Sequence, residues 1–93
     1  MHRFVEDNDN NFMKILGVII KSHRENLKKS MYIISAESSV SKSTWREIEL
    51  GMCKDIKLKT LWRVSEGLNI PVTQILEELT EKLGSTFTLS DLD

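Results

Sequence analysis

Residues 30–51 constrain the fold of this chain more than any other segment. Two short stretches within it carry apolar residues at three- and four-residue spacing, which is the pattern of amphipathic helices. Each stretch follows a serine, Ser30 or Ser41, whose hydroxyl can accept a hydrogen bond from the first turn of a helix. Only residues 38–40 connect them, and Gly51 can close the second helix in the left-handed conformation. The segment therefore predicts two short helices joined by a tight turn, which is the shape of a helix-turn-helix.

Three more amphipathic patterns surround this segment. Apolar residues recur at helical spacing in residues 12–27, 58–68 and 72–83. Pro71 suits the first turn of the last helix, and Gly17 inside the first helix predicts the close approach of a neighbouring helix. The chain is therefore predicted to be all-α, with five helices, of which the second and third form the helix-turn-helix.

Two side chains near the apolar faces allow more than one interpretation. Trp62 borders the inward stripe of the fourth helix, which begins with Leu58, and we expect both in the core. A partly exposed contact is the alternative for Trp62. His23 lies on the apolar stripe of the first helix. We expect a half-buried, hydrogen-bonded histidine there, and not a metal ligand or a catalytic base.

Length and composition predict one small domain with polar ends. Ninety-three residues, of which 40% are hydrophobic, fill one modest core. Residues 1–11 are rich in Asn and Asp and predict a disordered arm, and residues 12–84 form the predicted domain. Residues 85–93 are a short acidic tail, for which an extra strand and a loose end both remain open.

The net charge of −1 is the sum of three unequal parts. Residues 1–13 have a net charge of −2 and residues 64–93 a net charge of −5. Residues 14–63 carry eleven Lys and Arg against five acids, which gives +6. A basic middle between acidic ends fits a surface that binds an anionic polymer and a far side that the polymer repels. Ordinary solvated charge is the alternative.

Several classes of protein are disfavoured by what the sequence lacks. Cys53 is the single cysteine, which excludes an internal disulfide and fits a reducing cytoplasm, and no metal or cofactor site is recognisable. The sequence has no signal-peptide pattern and no apolar run long enough for a bilayer. Cys53 has no recognisable activating base, and neither a glycine-rich phosphate loop nor a paired-carboxylate signature occurs. We therefore expect a cytoplasmic protein that is not an enzyme.

Between positions 15 and 76, certain residue types occur in the order and spacing of a known family of helical domains. This pattern is carried by Leu16-Gly17, Ile20 and His23-Arg24; by Val40-Ser41-Lys42-Ser43, Trp45, Ile48-Glu49 and Gly51; and by Leu58, Thr60-Leu61, Val64, Leu68 and Ile70-Pro71. The chain thereby resembles the lambda-repressor-like, Cro/CI or XRE-type DNA-binding domains of bacteria and phages. The resemblance implies a five-helix lambda-repressor-like fold and a sequence-specific transcriptional regulator. Met31 and Ser39 depart from the family, which usually has a phosphate-contacting glutamine and a turn glycine there.

The spacing and the resemblance together nominate DNA contacts, because a recognition helix reads base edges from its N-terminal part. The residues expected to face bases are Lys42, Ser43, Thr44, Arg46 and Glu47. Those expected to face phosphates are Ser30, Lys54, Lys57 and Arg24. For Arg24 an ion pair within the chain is the alternative, and for Lys54 and Lys57 a solvated side chain.

The expected partners are double-stranded DNA and a second copy of the chain. A domain this small offers few base contacts, so we expect a dimeric repressor or controller protein on a palindromic operator. Ile75, Leu79 and Leu83 on the fifth helix are the nominated dimer interface, and closure of the monomer's own core is the alternative. A different possibility is an antitoxin, whose acidic C-terminal half holds a basic toxin while the helix-turn-helix autoregulates. No membrane partner is expected.

Overall fold

The computed structural model describes the backbone of residues 2–90 and the side chains of residues 8–90. Within that range the chain folds into five α-helices and contains no strand. The helices are α1 His2–Asn26, α2 Met31–Ser38, α3 Lys42–Glu49, α4 Leu58–Gly67 and α5 Val72–Leu83. None of these helices is both long enough and apolar enough to cross a lipid bilayer. The predicted all-α fold is confirmed.

The first helix is longer than its apolar pattern. α1 begins at His2, although the amphipathic spacing starts only at Phe12. Residues 2–11 are therefore helical, and the prediction of a disordered arm is wrong for them; Met1 lies outside the described residues. Extending an existing helix adds about one backbone hydrogen bond for each residue that is fixed, so a stable amphipathic helix can carry a polar extension.

The segment after α5 folds back onto α1. Phe87 stacks on Phe12, with 6.1 Å between the ring centroids, and the Asn8 side-chain amide donates to the Thr88 carbonyl at 2.8 Å. Residues 85–90 of the predicted acidic tail are thus an irregular segment and not a strand. The rest of that tail lies outside the described residues. This contact gives the polar half of α1 a tertiary partner.

Local capping chemistry sets the ends of the two short helices. The hydroxyls of Ser30 and Ser41 accept hydrogen bonds from the first turns of α2 and α3, as predicted. Gly51 follows α3 with a φ of +69°, which is the predicted left-handed conformation. Ser39 caps the C-terminal end of α2 with a φ of +60°, although a glycine adopts that conformation at lower cost. The tight connection between α2 and α3 follows from these caps.

The core is built from all five helices. α1 packs against α3 and α5, α2 packs against α3 and α4, and α4 packs against α5. The largest fully buried side chains are those of Leu16, Ile19, Ile20, Ile34, Trp45, Ile48, Val64, Leu68 and Ile75. Each such aliphatic side chain contributes about 1.5–3 kcal/mol on burial. α3 is therefore attached to the domain by its apolar side.

The apolar row on α5 belongs to this core. Ile75 is fully buried, Leu79 is 3% exposed, and Leu83 packs against the same core while partly buried. The prediction that Ile75 and Leu79 pair with a second copy is wrong, because α5 places this row against α1 and α4 of its own chain. The alternative, closure of the monomer's core, is correct. Any dimer must use another surface.

α4 exposes two large apolar side chains. Leu58 is 69% exposed and Trp62 is 54% exposed, so the prediction that both lie in the core is wrong. The inward face of α4 is filled by Leu61, Val64 and Leu68. Trp62 is rotated by about 100° from Leu61 around the helix axis, and Leu58, one turn earlier, lies on the same outward side.

The histidine on α1 is hydrogen-bonded to α5. Nε2 of His23 lies 3.0 and 2.9 Å from the two carboxylate oxygens of Glu78. The Gln74 side-chain amide donates to the same carboxylate at 3.2 Å. His23 is half-buried, so the predicted hydrogen-bonded histidine is confirmed. Its partner lies 55 residues further along the chain, and the contact joins α1 to α5.

Candidate nucleic-acid interface

α3 separates a buried face from an exposed one. Trp45 and Ile48 are fully buried, and the Glu49 side chain is 2% exposed. Of the five residues nominated for base contacts, Thr44 is half-buried and four are exposed: Lys42, Ser43, Arg46 and Glu47. Because successive residues are rotated by about 100°, these four lie within one arc of the helix surface. The nominated base contacts are thus brought together on the side of α3 that faces away from the core.

The first turn of α3 is fixed by Ser41. Its Oγ accepts from the Thr44 backbone N–H at 3.1 Å, and its own O–H donates to Oγ1 of Thr44 at 2.8 Å. The Thr44 hydroxyl is therefore engaged within the helix cap. Lys42 and Ser43 form the exposed part of this first turn.

A buried serine joins the turn to α3. Ser38 is 6% exposed, and its Oγ accepts from the Trp45 indole N–H at 2.9 Å and from the Val40 backbone N–H at 3.3 Å. Its O–H donates to the Ser35 carbonyl at 3.5 Å. One hydroxyl thus ties α2, the turn and α3 together. This role of Ser38 was not predicted from the sequence; the signal for it is a core tryptophan, whose indole N–H needs a partner when buried.

An ion pair ties the end of α3 to α1. Arg24 donates from Nε and Nη2 to the Glu49 carboxylate at 2.5 and 2.8 Å, and from Nη1 to the Lys29 carbonyl at 2.8 Å. The two charged side chains are only 12% and 2% exposed. The hydrogen bond to Glu49 raises the pKa of Arg24 above its ordinary value, although burial acts in the opposite direction. The prediction that Arg24 contacts phosphate is wrong, because its donors are directed into the chain; the alternative, an ion pair, is correct.

The backbones of α1 and α3 nearly touch at Gly17. A Cβ added there would overlap the carbonyl oxygen of Ile48 and would lie 2.9 Å from that of Glu49. The predicted close approach of a neighbouring helix is therefore confirmed. Together with the hydrogen bond from Trp45 to Ser38 and the ion pair between Arg24 and Glu49, this contact holds the buried side of α3 against α1 and α2.

The other residues nominated for phosphate contacts lie on two segments. Lys54 and Lys57 are exposed in the connection between α3 and α4, and Lys57 immediately precedes α4. Lys54 and Asp9 of α1 are among the residues that line one groove. Ser30 is exposed at the start of α2, where its Oγ accepts from the Ile33 backbone N–H at 3.2 Å.

Most of the positive charge in residues 14–63 lies on the surface. Nine of its eleven cationic side chains are exposed: Lys14, Lys21, Lys28, Lys42, Arg46, Lys54, Lys57, Lys59 and Arg63. Arg24 is enclosed in its ion pair, and Lys29 lies 2.6 Å from a carboxylate oxygen of Glu37. Most cationic side chains of the basic middle of the sequence are thus exposed to solvent.

The single thiol is not activated. Cys53 is half-buried, and burial raises its pKa above the ordinary value, with a smaller rise from the charge of Glu47. A nucleophilic thiol needs a lowered pKa instead. The surroundings of Cys53 therefore disfavour a catalytic role for it.

Comparison of the chain with protein-family models, with curated proteins and with solved structures finds no match in any of the three. The two-sided helix α3, its attachment to α1 and α2, and the exposed positive charge are therefore the features from which a function is inferred.

Proposed function

We propose that this chain is a sequence-specific, double-stranded-DNA-binding transcriptional regulator, a repressor or controller protein of the lambda-repressor-like, Cro/CI or XRE type. In this proposal α2 and α3 are a helix-turn-helix, α3 is the recognition helix, and the protein acts in the cytoplasm without catalysis. The observation that carries the proposal is the geometry of α3, which is fixed along its buried side and presents polar and charged side chains on the other. Those side chains are Lys42, Ser43, Arg46 and Glu47.

The proposed mechanism follows from the dimensions of DNA. The major groove is about 12 Å wide and a helix with its side chains is about 10–12 Å across, so α3 can lie in the groove. Lys42 would donate to O6 or N7 of guanine, Glu47 would accept from N4 of cytosine, and Ser43 can do either. Arg46, one turn after Lys42, would reach a base edge or a phosphate. Thr44 contributes less, because its hydroxyl is engaged in the helix cap.

Phosphate contacts would come from Lys57, Lys54 and Ser30. Met31 has no side-chain hydrogen-bond donor, so the exposed lysines must supply the attraction that a polar residue would give at the start of α2. Each phosphate that a lysine neutralises contributes about −0.9 to the slope of log affinity against log salt concentration. The affinity for DNA is therefore expected to fall steeply with salt.

Two copies would bind a palindromic operator. One α3 presents four exposed polar side chains, which is a small number of base contacts for specificity. Two recognition helices whose centres are roughly 34 Å apart would read two successive turns of the same face of DNA. This spacing fixes the distance between the half-sites.

A second candidate function is that of an antitoxin that binds a basic toxin and autoregulates through the same helices. It is favoured by the outer face of α5, where Glu77 and Glu81 are exposed beside Leu76. Purification of the tagged full chain from its native cells separates the two functions. A stoichiometric basic partner that is lost in the Glu77→Lys, Glu81→Lys variant supports the antitoxin, and a chain that elutes without one speaks against it.

Selection of bound duplexes from a random DNA library tests the proposed function. We expect enrichment of one discrete motif, arranged as two inverted half-sites whose centres are about 10–10.5 base pairs apart. The matched control is the same selection with a Lys42→Ala, Ser43→Ala variant, which should enrich that motif poorly. A wild-type pool that stays indistinguishable from the starting library at low salt would contradict the proposal.

A further inference from the structure

α4 presents an exposed apolar stripe beside a basic one. Leu58 and Trp62, four residues apart, are 69% and 54% exposed. Lys59 and Arg63 each follow one of them in sequence and are exposed as well. Residues four apart lie on the same side of a helix, so the apolar stripe and the basic stripe run next to each other along α4.

α5 presents the matching pattern with the opposite charge. Leu76 is 40% exposed, and the exposed Thr80 lies four residues further along. Glu77 and Glu81 each follow one of these two residues and are exposed. Together with Thr73 these side chains line a shallow groove of about 440 Å³. α5 therefore has a groove with an acidic stripe along one side.

These two patterns are complementary when α4 of one molecule packs antiparallel against α5 of another. In antiparallel helices, the residues that directly follow the contact positions lie on the same side of the interface. Contact of Trp62 with Leu76 then places Arg63 beside Glu77, and Lys59 beside Glu81. Both charge pairs and the apolar contact form in one register, because each stripe repeats every four residues.

We propose that a second copy of this chain binds here: α4 of one copy packs antiparallel onto α5 of the other, with the Trp62 indole in the groove beside Leu76. The same contact is repeated in the reverse direction, so the pair has two-fold symmetry and is closed. α4 and α5 are neighbours in the fold, which allows one two-fold axis to serve both contacts. The inference rests on the proposed function, since it names the surface by which two operator-bound copies pair.

Charge selects this pairing over the other symmetrical ones. Antiparallel packing of α5 on α5 of a second copy would bring Glu77 and Glu81 of one copy beside those of the other, and antiparallel packing of α4 on α4 would do the same with Lys59 and Arg63. Like charges placed against each other disfavour association, and opposite charges favour it. The aromatic side chain supplies the apolar anchor, because a buried tryptophan is a frequent source of binding energy at interfaces.

Sedimentation equilibrium of the full chain without DNA tests the apolar part of the contact. We expect the wild type to be dimeric at micromolar concentrations and Trp62→Ala to weaken the dimer about tenfold or more. Tyr32→Ala is the matched control, because Tyr32 is an aromatic residue of α2 that is 73% exposed and lies outside the proposed contact. A monomeric wild type, or a Trp62→Ala variant as dimeric as the wild type, overturns the proposal.

Charge reversal in trans tests the antiparallel register. Lys59→Glu, Arg63→Glu in one chain and Glu77→Lys, Glu81→Lys in another each place like charges in both contacts of a homodimer, so each variant alone should be mostly monomeric. An equimolar mixture restores opposite charges in both contacts and should dimerise as the wild type does. A mixture as monomeric as its components overturns the proposal, even if the wild type is a dimer. All four substituted positions are exposed, so both variants should fold as the wild type does, and circular dichroism checks this.

These experiments separate the pairing surface from DNA binding. Sedimentation is measured without DNA, and selection of DNA sequences needs no dimer in free solution. If the charge-reversal mixture fails while the wild type still enriches a motif, the pairing surface is wrong and the proposed function stands. If the mixture dimerises while no motif is enriched, the pairing surface stands and the proposed function falls.

Discussion

Arg24→Ala is expected to lower the free energy of unfolding by about 3–5 kcal/mol. The change leaves the carboxylate of Glu49, which is 2% exposed, without the two hydrogen bonds and the positive charge that now compensate its burial. The Lys29 carbonyl loses a donor as well. Urea unfolding followed by circular dichroism measures the effect. Lys21→Ala is the matched control, since Lys21 is an exposed cation of the same helix, and it is expected to change stability by less than about 0.5 kcal/mol.

A double variant separates the ion pair from the space that it fills. Arg24→Met with Glu49→Met removes both charges and keeps apolar bulk between α1 and α3. Replacing a buried pair by apolar residues of similar volume is often neutral, so the double variant should recover most of the stability lost in Arg24→Ala. A loss of less than about 1 kcal/mol in Arg24→Ala would show that the carboxylate of Glu49 finds water or another partner, contrary to the packing described.

Gly17→Ala is the second change with a large expected effect. Alanine favours a helix interior by about 1 kcal/mol relative to glycine, so local propensity alone predicts stabilisation. Its methyl group would overlap the Ile48 carbonyl oxygen and press on that of Glu49, and both atoms belong to the backbone of α3. Overpacking of this kind costs about 1–3 kcal/mol, and a clash with backbone lies at the upper end, so we expect net destabilisation of about 2 kcal/mol.

The same substitution should also displace α3, because α1 and α3 must move apart to admit a methyl group. The measurement combines urea unfolding with amide hydrogen exchange, which should show lost protection in α3 before the rest of the core. Val18→Ala is the control, as Val18 is the next residue of α1 and is 59% exposed. A Gly17→Ala variant as stable as the wild type, with unchanged exchange in α3, would contradict the close contact.

The helices flanking the turn could be predicted because their signals are local. Ser30 and Ser41 accept hydrogen bonds from residues three positions away, and Gly51 acts through its own φ angle. Such interactions depend on neighbours in sequence and are therefore visible in it. Trp45 and Ile48 are also three residues apart, so the buried face of α3 could be read from their spacing.

The roles that were predicted wrongly depend on contacts across the fold. An apolar row such as Ile75 and Leu79 looks the same in sequence whether its own chain or a second copy covers it. Trp62 borders the inward stripe of α4, and only the positions of the neighbouring helices decide on which side it lies. Arg24 finds Glu49 at a separation of 25 residues, which no periodicity indicates. Sequence spacing gives the direction of a side chain on its helix and not the group that it meets.

The central claim is that the exposed face of α3 reads base edges, and fluorescence anisotropy with the selected duplex tests it most directly. The Lys42→Ala, Ser43→Ala variant should fold as stably as the wild type, since both side chains are exposed. Its affinity for the selected duplex should fall about tenfold or more, because a good base contact is worth about 1–3 kcal/mol, while its affinity for a scrambled duplex changes far less. Lys21→Ala, which removes an exposed cation from α1, should keep the wild-type preference. Equal affinity of the double variant and the wild type for the selected duplex, with equal discrimination against the scrambled one, would contradict the claim.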